Sequence, residues 1–310
     1  MRQRTRILAL ILLVGIGVAG QYARATNLTV NCDRRESIHK AVKLLAESNP
    51  KGPNTITVVG NCRDNVVVQS MDRLSLVARN GASITDRSNG TLSVVDIEDS
   101  HSVTMRGFII NGGAEGIQCG SASVCYLTGN TIQSAAGMGV GVGGGSHAFL
   151  ESNVIQNNGA SGLVVSTGSQ VLSSNDIFQG NSAQGVDLSS AYFSASNSSY
   201  LNNTVGVRAG ISTVQLNGGT ITGSGGDGMI LRGNSSAVFL GPTITGNGGN
   251  GVHLEDGSFA GFVAASITGN LSGTDVDCAP QFPITRFVER TGGVTNCDES
   301  ASLVGRENFQ

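Results

Sequence analysis

The stretch Ser161–Gln184, SGLVVSTGSQVLSSNDIFQGNSAQ, holds three short apolar bursts separated by glycine, serine and asparagine, and at Gly185 the phrase begins again. Glycine followed by an aliphatic residue recurs at Gly116-Ile117, Gly139-Val140, Gly162-Leu163, Gly185-Val186, Gly206-Val207, Gly228-Met229 and Gly251-Val252. The steps are 23, 23, 23, 21, 22 and 23 residues, a period that marks a repeat architecture. A second phrase keeps its own phase: GNTI (129–132), SNVI (152–155), SNDI (174–177), GGTI (218–221), GPTI (241–244) and ASITGN (265–270). RGFII (106–110) extends that series back by one unit.

Apolar residues alternate within the bursts, as at Val140 and Val142, Leu163 and Val165, Val186 and Leu188. A period of two is that of a strand. Three bursts per unit, each closed by Gly, Ser or Asn, predict three short strands with a turn after each. One unit cannot bury its inward face alone. Units stacked at about 4.8 Å bury it and pair the backbone with the coils above and below. The expectation is an all-β solenoid of about ten coils of 21–25 residues. A leucine-rich repeat would need a regular leucine pattern that is missing. A calcium-binding nonapeptide roll would need G-G-x-G-x-D, but GGDGMIL (225–231) and GGNGVHL (248–254) carry Ile230 and His253 at the aspartate position.

The repeats resemble the right-handed parallel β-helix proteins of the pectin-lyase-like superfamily, over about residues 55–275. The strongest sign is the N-x-I phase, with Asn130, Asn153 and Asn175 spaced 23 and 22 apart. In that family such asparagines stack as a ladder inside a tight turn. The amide suits this role, because it donates to one coil and accepts from the next, and Asn tolerates left-handed backbone angles. The segment from Asn54 to Ile84 also looks like the family's first coils.

The ends read differently. Arg2, Arg4 and Arg6 precede an apolar run from Ile7 to about Gly20, and then Ala23-Arg24-Ala25. That order predicts a secretory signal peptide over 1–25, because about 14 apolar residues are too few to span a bilayer. The remaining chain would carry 15 basic and 22 acidic side chains, a formal charge of −7. With only Lys40, Lys43 and Lys51 as lysines and no basic run, nucleic acid and anionic lipid are poor partners, and no later segment is apolar enough for a membrane span. ESIHKAVKLLAES (36–48) is the one helical pattern, with Ile38, Val42 and Leu45 on one stripe, and it reads as a cap over the first coil. The expected division is therefore a signal peptide (1–25), an N-terminal cap with its helix (26–54), the parallel β-helix (55–277), and a C-terminal cap and tail (278–310). Six cysteines in an exported chain favour disulfides over zinc, since no C-x-x-C occurs. Their positions suggest Cys32–Cys62, Cys119–Cys125 and Cys278–Cys297.

Inward side chains are committed to packing, so chemistry must come from outward positions. On the first strand of each coil one outward row runs Gln118, Gly141, Val164, Asp187, Arg208, Ile230, His253, and the next ends in Arg232 and Glu255. Together with Asp227 and Asp256, these residues make a charged patch over the coils that open at Gly185 to Gly251. Many members of the superfamily hold polysaccharide along this face. On such a face the patch offers Arg208, Arg232 and Asp187 as candidates for substrate binding, and His253, Glu255 and Asp227 as candidates for an acid or base. Equally, Asp187–Arg208 and Arg232–Glu255 on neighbouring coils can simply pair across the ladder. His101 beside Asp96, Glu98 and Asp99, and His147 in GGGSHAF, read more readily as loop and turn residues. The polygalacturonase, mannuronate-epimerase and pectate-lyase motifs are missing, so no family residue carries over. Two readings stay open: a secreted protein that binds and processes a polysaccharide, as a lyase, hydrolase or epimerase, and a non-catalytic envelope or adhesion module. No resident cofactor is called for, and a bridging divalent cation such as calcium stays open.

Overall fold

The computed structural model describes residues 25–272, 274–278, 286–287 and 295–297. The expected signal peptide (1–24 of it) and most of the expected C-terminal cap and tail lie outside the described residues. Parallel strands wind right-handed into a solenoid with three strands in each central coil. Among the described residues the first face is a ladder of ten strands, from Val66–Gln69 and Val95–Glu98 through Ile117–Gly120, Gln184–Ser189 and Val205–Gly210 to Met229–Arg232, Val252–Leu254 and Val276–Cys278. Second-face strands such as Val124–Thr128 and His147–Glu151, and third-face strands such as Thr131–Gln133 and Val154–Gln156, stack in the same way. In the first coils the strands Asn54–Arg63 and Leu74–Thr85 bend from the second face into the third. The strand Thr26–Asn31 already pairs in register with Asn54–Val59, so the ladder begins ahead of the helix.

The alternation read from the sequence sorts the side chains. On the third face Ile110, Ile132, Ile155, Phe178, Tyr200, Ile221, Ile244 and Ile267 form one buried column, with the rings of Phe178 and Tyr200 stacked 5.3 Å apart. Cys119 and Cys125 point inward from the first and second strands of one coil and are bonded across its core. The other two disulfides are Cys32–Cys62 and Cys278–Cys297, at opposite ends of the rod. The helix α1 (Ile38–Ser48) is capped by Ser37, whose side chain accepts from the Lys40 N–H, and buries Ile38, Val42 and Leu45 against the first coil. Without it that apolar cross-section would face water.

The asparagine ladder is present, but its third member is Asp176 and not Asn175. The packed column fixes the phase, since Ile132 and Ile155 are followed by Phe178 rather than Ile177. Asn175 therefore sits in the turn, exposed and left-handed at φ 55°, and bonds its neighbour Ser174. A second asparagine ladder, Asn158–Asn181–Asn203, stands at the corner before the first face. It resumes as Asn247–Asn270 after Ser224 and ends on Asp275. This ladder explains the recurring glycine. A Cβ on Gly185 would lie 2.6 Å from the Gly206 carbonyl oxygen and 2.8 Å from the Asn203 amide nitrogen, so the close approach of successive coils leaves no room for a side chain.

Candidate functional site

Along each first-face strand the residue after the leading apolar one points outward, and the ladder register sets these residues side by side. The row is Val67, Asp96, Gln118, Gly141, Val164, Asp187, Arg208, Ile230, His253, Asp277. The expected outward row is therefore reproduced and extended at both ends. Asp96 and Asp277 stand outside the glycine series because their coils open on Val94-Val95 and Asp275-Val276 instead of a glycine. The spacing of Val276, 24 residues after Val252, is the signal that would have found the last coil.

Arg208 and Asp187 face each other on adjacent strands and form a two-pronged ion pair. Nε donates to Oδ1 at 2.8 Å and Nη2 to Oδ2 at 2.5 Å. The hydrogen bond to Asp187 raises the Arg208 pKa, and burial opposes this only in part. The Arg208 fork is thus already filled by a carboxylate. Arg232 is exposed and forms no ion pair among the described residues. The expected Arg232–Glu255 pair does not form, because the strand pairing ends at Leu231–Leu254 and Glu255 turns back to His253. Asp227 is also occupied: its Oδ1 accepts the Asn250 backbone N–H at 2.6 Å, which fixes the turn into the next coil. Asp256 sits in a left-handed turn at φ 51°.

His253 has the richest surroundings. Its Nε2 is 3.0 Å from Glu255 Oε1, and its Nδ1 is 2.5 Å from Asp277 Oδ2. The second contact is close but not aligned as a hydrogen bond, so Nδ1 is left without a bonded partner. A neutral imidazole carries one N–H and can serve only one of these carboxylates at a time. Asp277 is held by the Asn296 amide at 2.6 Å, and Asn296 also accepts the Cys278 N–H at 2.7 Å. The Cys278–Cys297 bond therefore anchors the strand segment that braces His253. His253 is thus a half-buried imidazole with a carboxylate close to each ring nitrogen.

At the other end of the face Asp96, Glu98 and Glu115 gather their charge. Burial, and then the charges of Glu98 and Glu115, push the Asp96 carboxyl up. Asp96 Oδ1 and Gln118 Oε1 are buried without hydrogen-bond partners. His101 and His147 are exposed; His147 begins a second-face strand, where a turn position was expected. Among the described residues no group of three or more His, Cys, Asp or Glu side chains is placed to share a metal ion, and no helix is long and apolar enough to cross a membrane.

The architecture matches solved structures at low identity. A pectate lyase superposes with a TM-score of 0.58 at 10% identity, covering 88% of this chain and 77% of that one. The A-module of an Azotobacter vinelandii mannuronan C-5 epimerase gives 0.58 at 13%, covering 87% and 100%, and a periplasmic alginate epimerase 0.52 at 14%, covering 86% and 83%. A cell surface glycoprotein of Methanothermus fervidus is 29% identical over 137 residues, which are 44% of this chain and 22% of that protein. The family model described as right handed beta helix region matches residues 30–213, more than half of the sequence, and the chain belongs to that right-handed β-helix family.

Proposed function

We propose that the chain is exported, loses residues 1–25, and binds a polysaccharide along its first face, with His253 and Glu255 as the acid–base pair for its processing. The observation that carries this reading is His253 set between Glu255 and Asp277 in an outward row, beside the unpaired Arg232. Arg232 offers a uronate carboxylate its guanidinium fork, and His253 lies one coil further along to exchange a proton. The structurally similar lyase and epimerases are described by activities on polysaccharides, which supports the choice of substrate class.

A second reading is a non-catalytic surface module. The resemblance to a cell surface glycoprotein favours it, and so does the closed Asp187–Arg208 pair, which removes one cation from the patch. The two separate in one experiment. The parent and His253→Gln are incubated with a panel of polyuronides, following unsaturated uronate by absorbance, C5 inversion by proton NMR and retention on immobilised glycan. Turnover lost in the variant with retention unchanged supports processing at His253. Retention without turnover in either protein leaves binding alone, and no retention leaves the surface module.

A further inference from the structure

A cavity of about 510 Å³ lies at the N-terminal cap, away from the first-face patch. Four cations line it: Arg35 before α1, Lys40 in its first turn, Arg63 at the end of a strand, and Arg87 just beyond the strand Leu74–Thr85. Its two acids, Glu36 and Asp64, leave an excess of two positive charges. None of the four cations lies within ion-pair distance of a carboxylate among the described residues.

The acids at this end are engaged elsewhere. Buried Asp64 accepts from Ser37 Oγ at 2.8 Å and from the His39 N–H at 3.1 Å, and so caps the helix. Glu36 accepts the Asn31 N–H at 2.6 Å. Nearby Asp86 accepts from Ser88, Asn65 and Gly90; burial acts to raise its carboxyl, but these donors together outweigh it and bring it to about 2.

The first turn of α1 holds no acid of its own and carries Lys40, while the helix dipole is met by the buried Asp64 carboxylate from just beyond the strand Asn54–Arg63. From residue 107 to 278 the chain carries nine carboxylates against Arg208 and Arg232, whereas the cap cavity gathers four cations against two acids. A lone inorganic oxyanion would fill a small part of such a volume, which is in the range of organic-ligand sites. Arginine forks match carboxylate and sulfate groups in two-pronged geometry.

We infer that this cavity binds an acidic oligosaccharide through two of its anionic groups, at a site independent of the first face. Calorimetric titration of the full chain with trigalacturonate at low salt tests it. Saturable binding is expected, weakened at least tenfold by Arg63→Ala with Arg87→Ala and also reduced by Lys40→Gln. The same loss is expected when the cap variants are made in an Arg208→Ala, Arg232→Ala background, where any first-face binding is removed, which separates this site from the first-face reading. The three cap residues are exposed, and circular dichroism confirms that each variant is folded. No binding, or equal binding by the cap variants, overturns the inference. Sulfate binding as tightly as trigalacturonate reduces the cavity to an oxyanion site, and maltotriose binding equally removes the role of charge; either result also overturns it.

Discussion

Asn153 donates both its backbone N–H and its side-chain amide to one oxygen of Asp176, at 2.7 and 2.9 Å, where the coil before uses an asparagine for the same task. Burial raises the Asp176 carboxyl, and hydrogen bonds from Ser173, Asn153 and Ser174 only partly oppose this. A carboxyl raised above its unfolded value of 3.8 is favoured by folding when protonated, and its ionised form costs stability once the pH is above the raised value. Asp176→Asn should therefore increase the melting temperature at pH 7 by about 2–4 °C, as ~1 kcal/mol does in a domain of this size. The advantage should shrink as the pH falls, because more of the parent's acid is then protonated. Melting curves at pH 4 and pH 7 check both the size and the sign.

Tyr200 is fully enclosed, and its hydroxyl has no hydrogen-bond partner. Burial, and then the charge of Asp176, push its pKa well above the ordinary tyrosine value. Removing an unsatisfied polar atom relieves its desolvation, while the stacking on Phe178 is kept. Tyr200→Phe should be neutral or stabilising by about 1 kcal/mol in urea unfolding. A loss of 2 kcal/mol would mean that the hydroxyl is satisfied.

Gly185 has no space for a methyl group between the Gly206 carbonyl and Asn203. Gly185→Ala should cost about 2 kcal/mol, as overpacking does, despite the higher strand propensity of alanine. Gly168, at φ 73° with nothing near its absent Cβ, provides the contrast, because strain there comes from the backbone and not from contact. Chemical denaturation of both variants measures the difference.

Cys32–Cys62 closes a span of 30 residues around α1, and Cys119–Cys125 one of 6 within a coil. On the loop-entropy estimate the first contributes about 3–4 kcal/mol and the second about 2 kcal/mol. Alanine replacement of Cys32 and Cys62 should therefore destabilise more, and should expose the apolar end of the rod to dye binding.

Asp187→Asn should change the melting temperature little, since a part-exposed pair contributes about 1 kcal/mol or less. It should also free the Arg208 fork, so a first face that binds uronate should retain polyuronide more strongly at low salt. Weaker retention would mean that the carboxylate itself contacts the ligand.

The sequence by itself determined the solenoid, because a 21–23-residue period with alternating apolar bursts has one economical way to bury its inward residues. The cap helix was legible from its stripe of Ile38, Val42 and Leu45, and the disulfides from the positions of six cysteines around the solenoid ends and one tight loop. The outward row was legible too, since a period of two fixes which side chains leave the core. Only the tertiary structure decided the contacts between coils. A one-residue slip moves every side chain to the other face, and the packing of Phe178 settled that Asp176 and not Asn175 joins the ladder. Side-chain reach decided that Glu255 meets His253 instead of Arg232. Asp277 came beside His253 because a coil without the glycine signature still stacks in register, and Arg63 and Arg87 came together with Arg35 and Lys40 because the cap folds back onto the first coils. Periodicity specifies direction along the chain, whereas these encounters depend on the distances set when the coils close on one another.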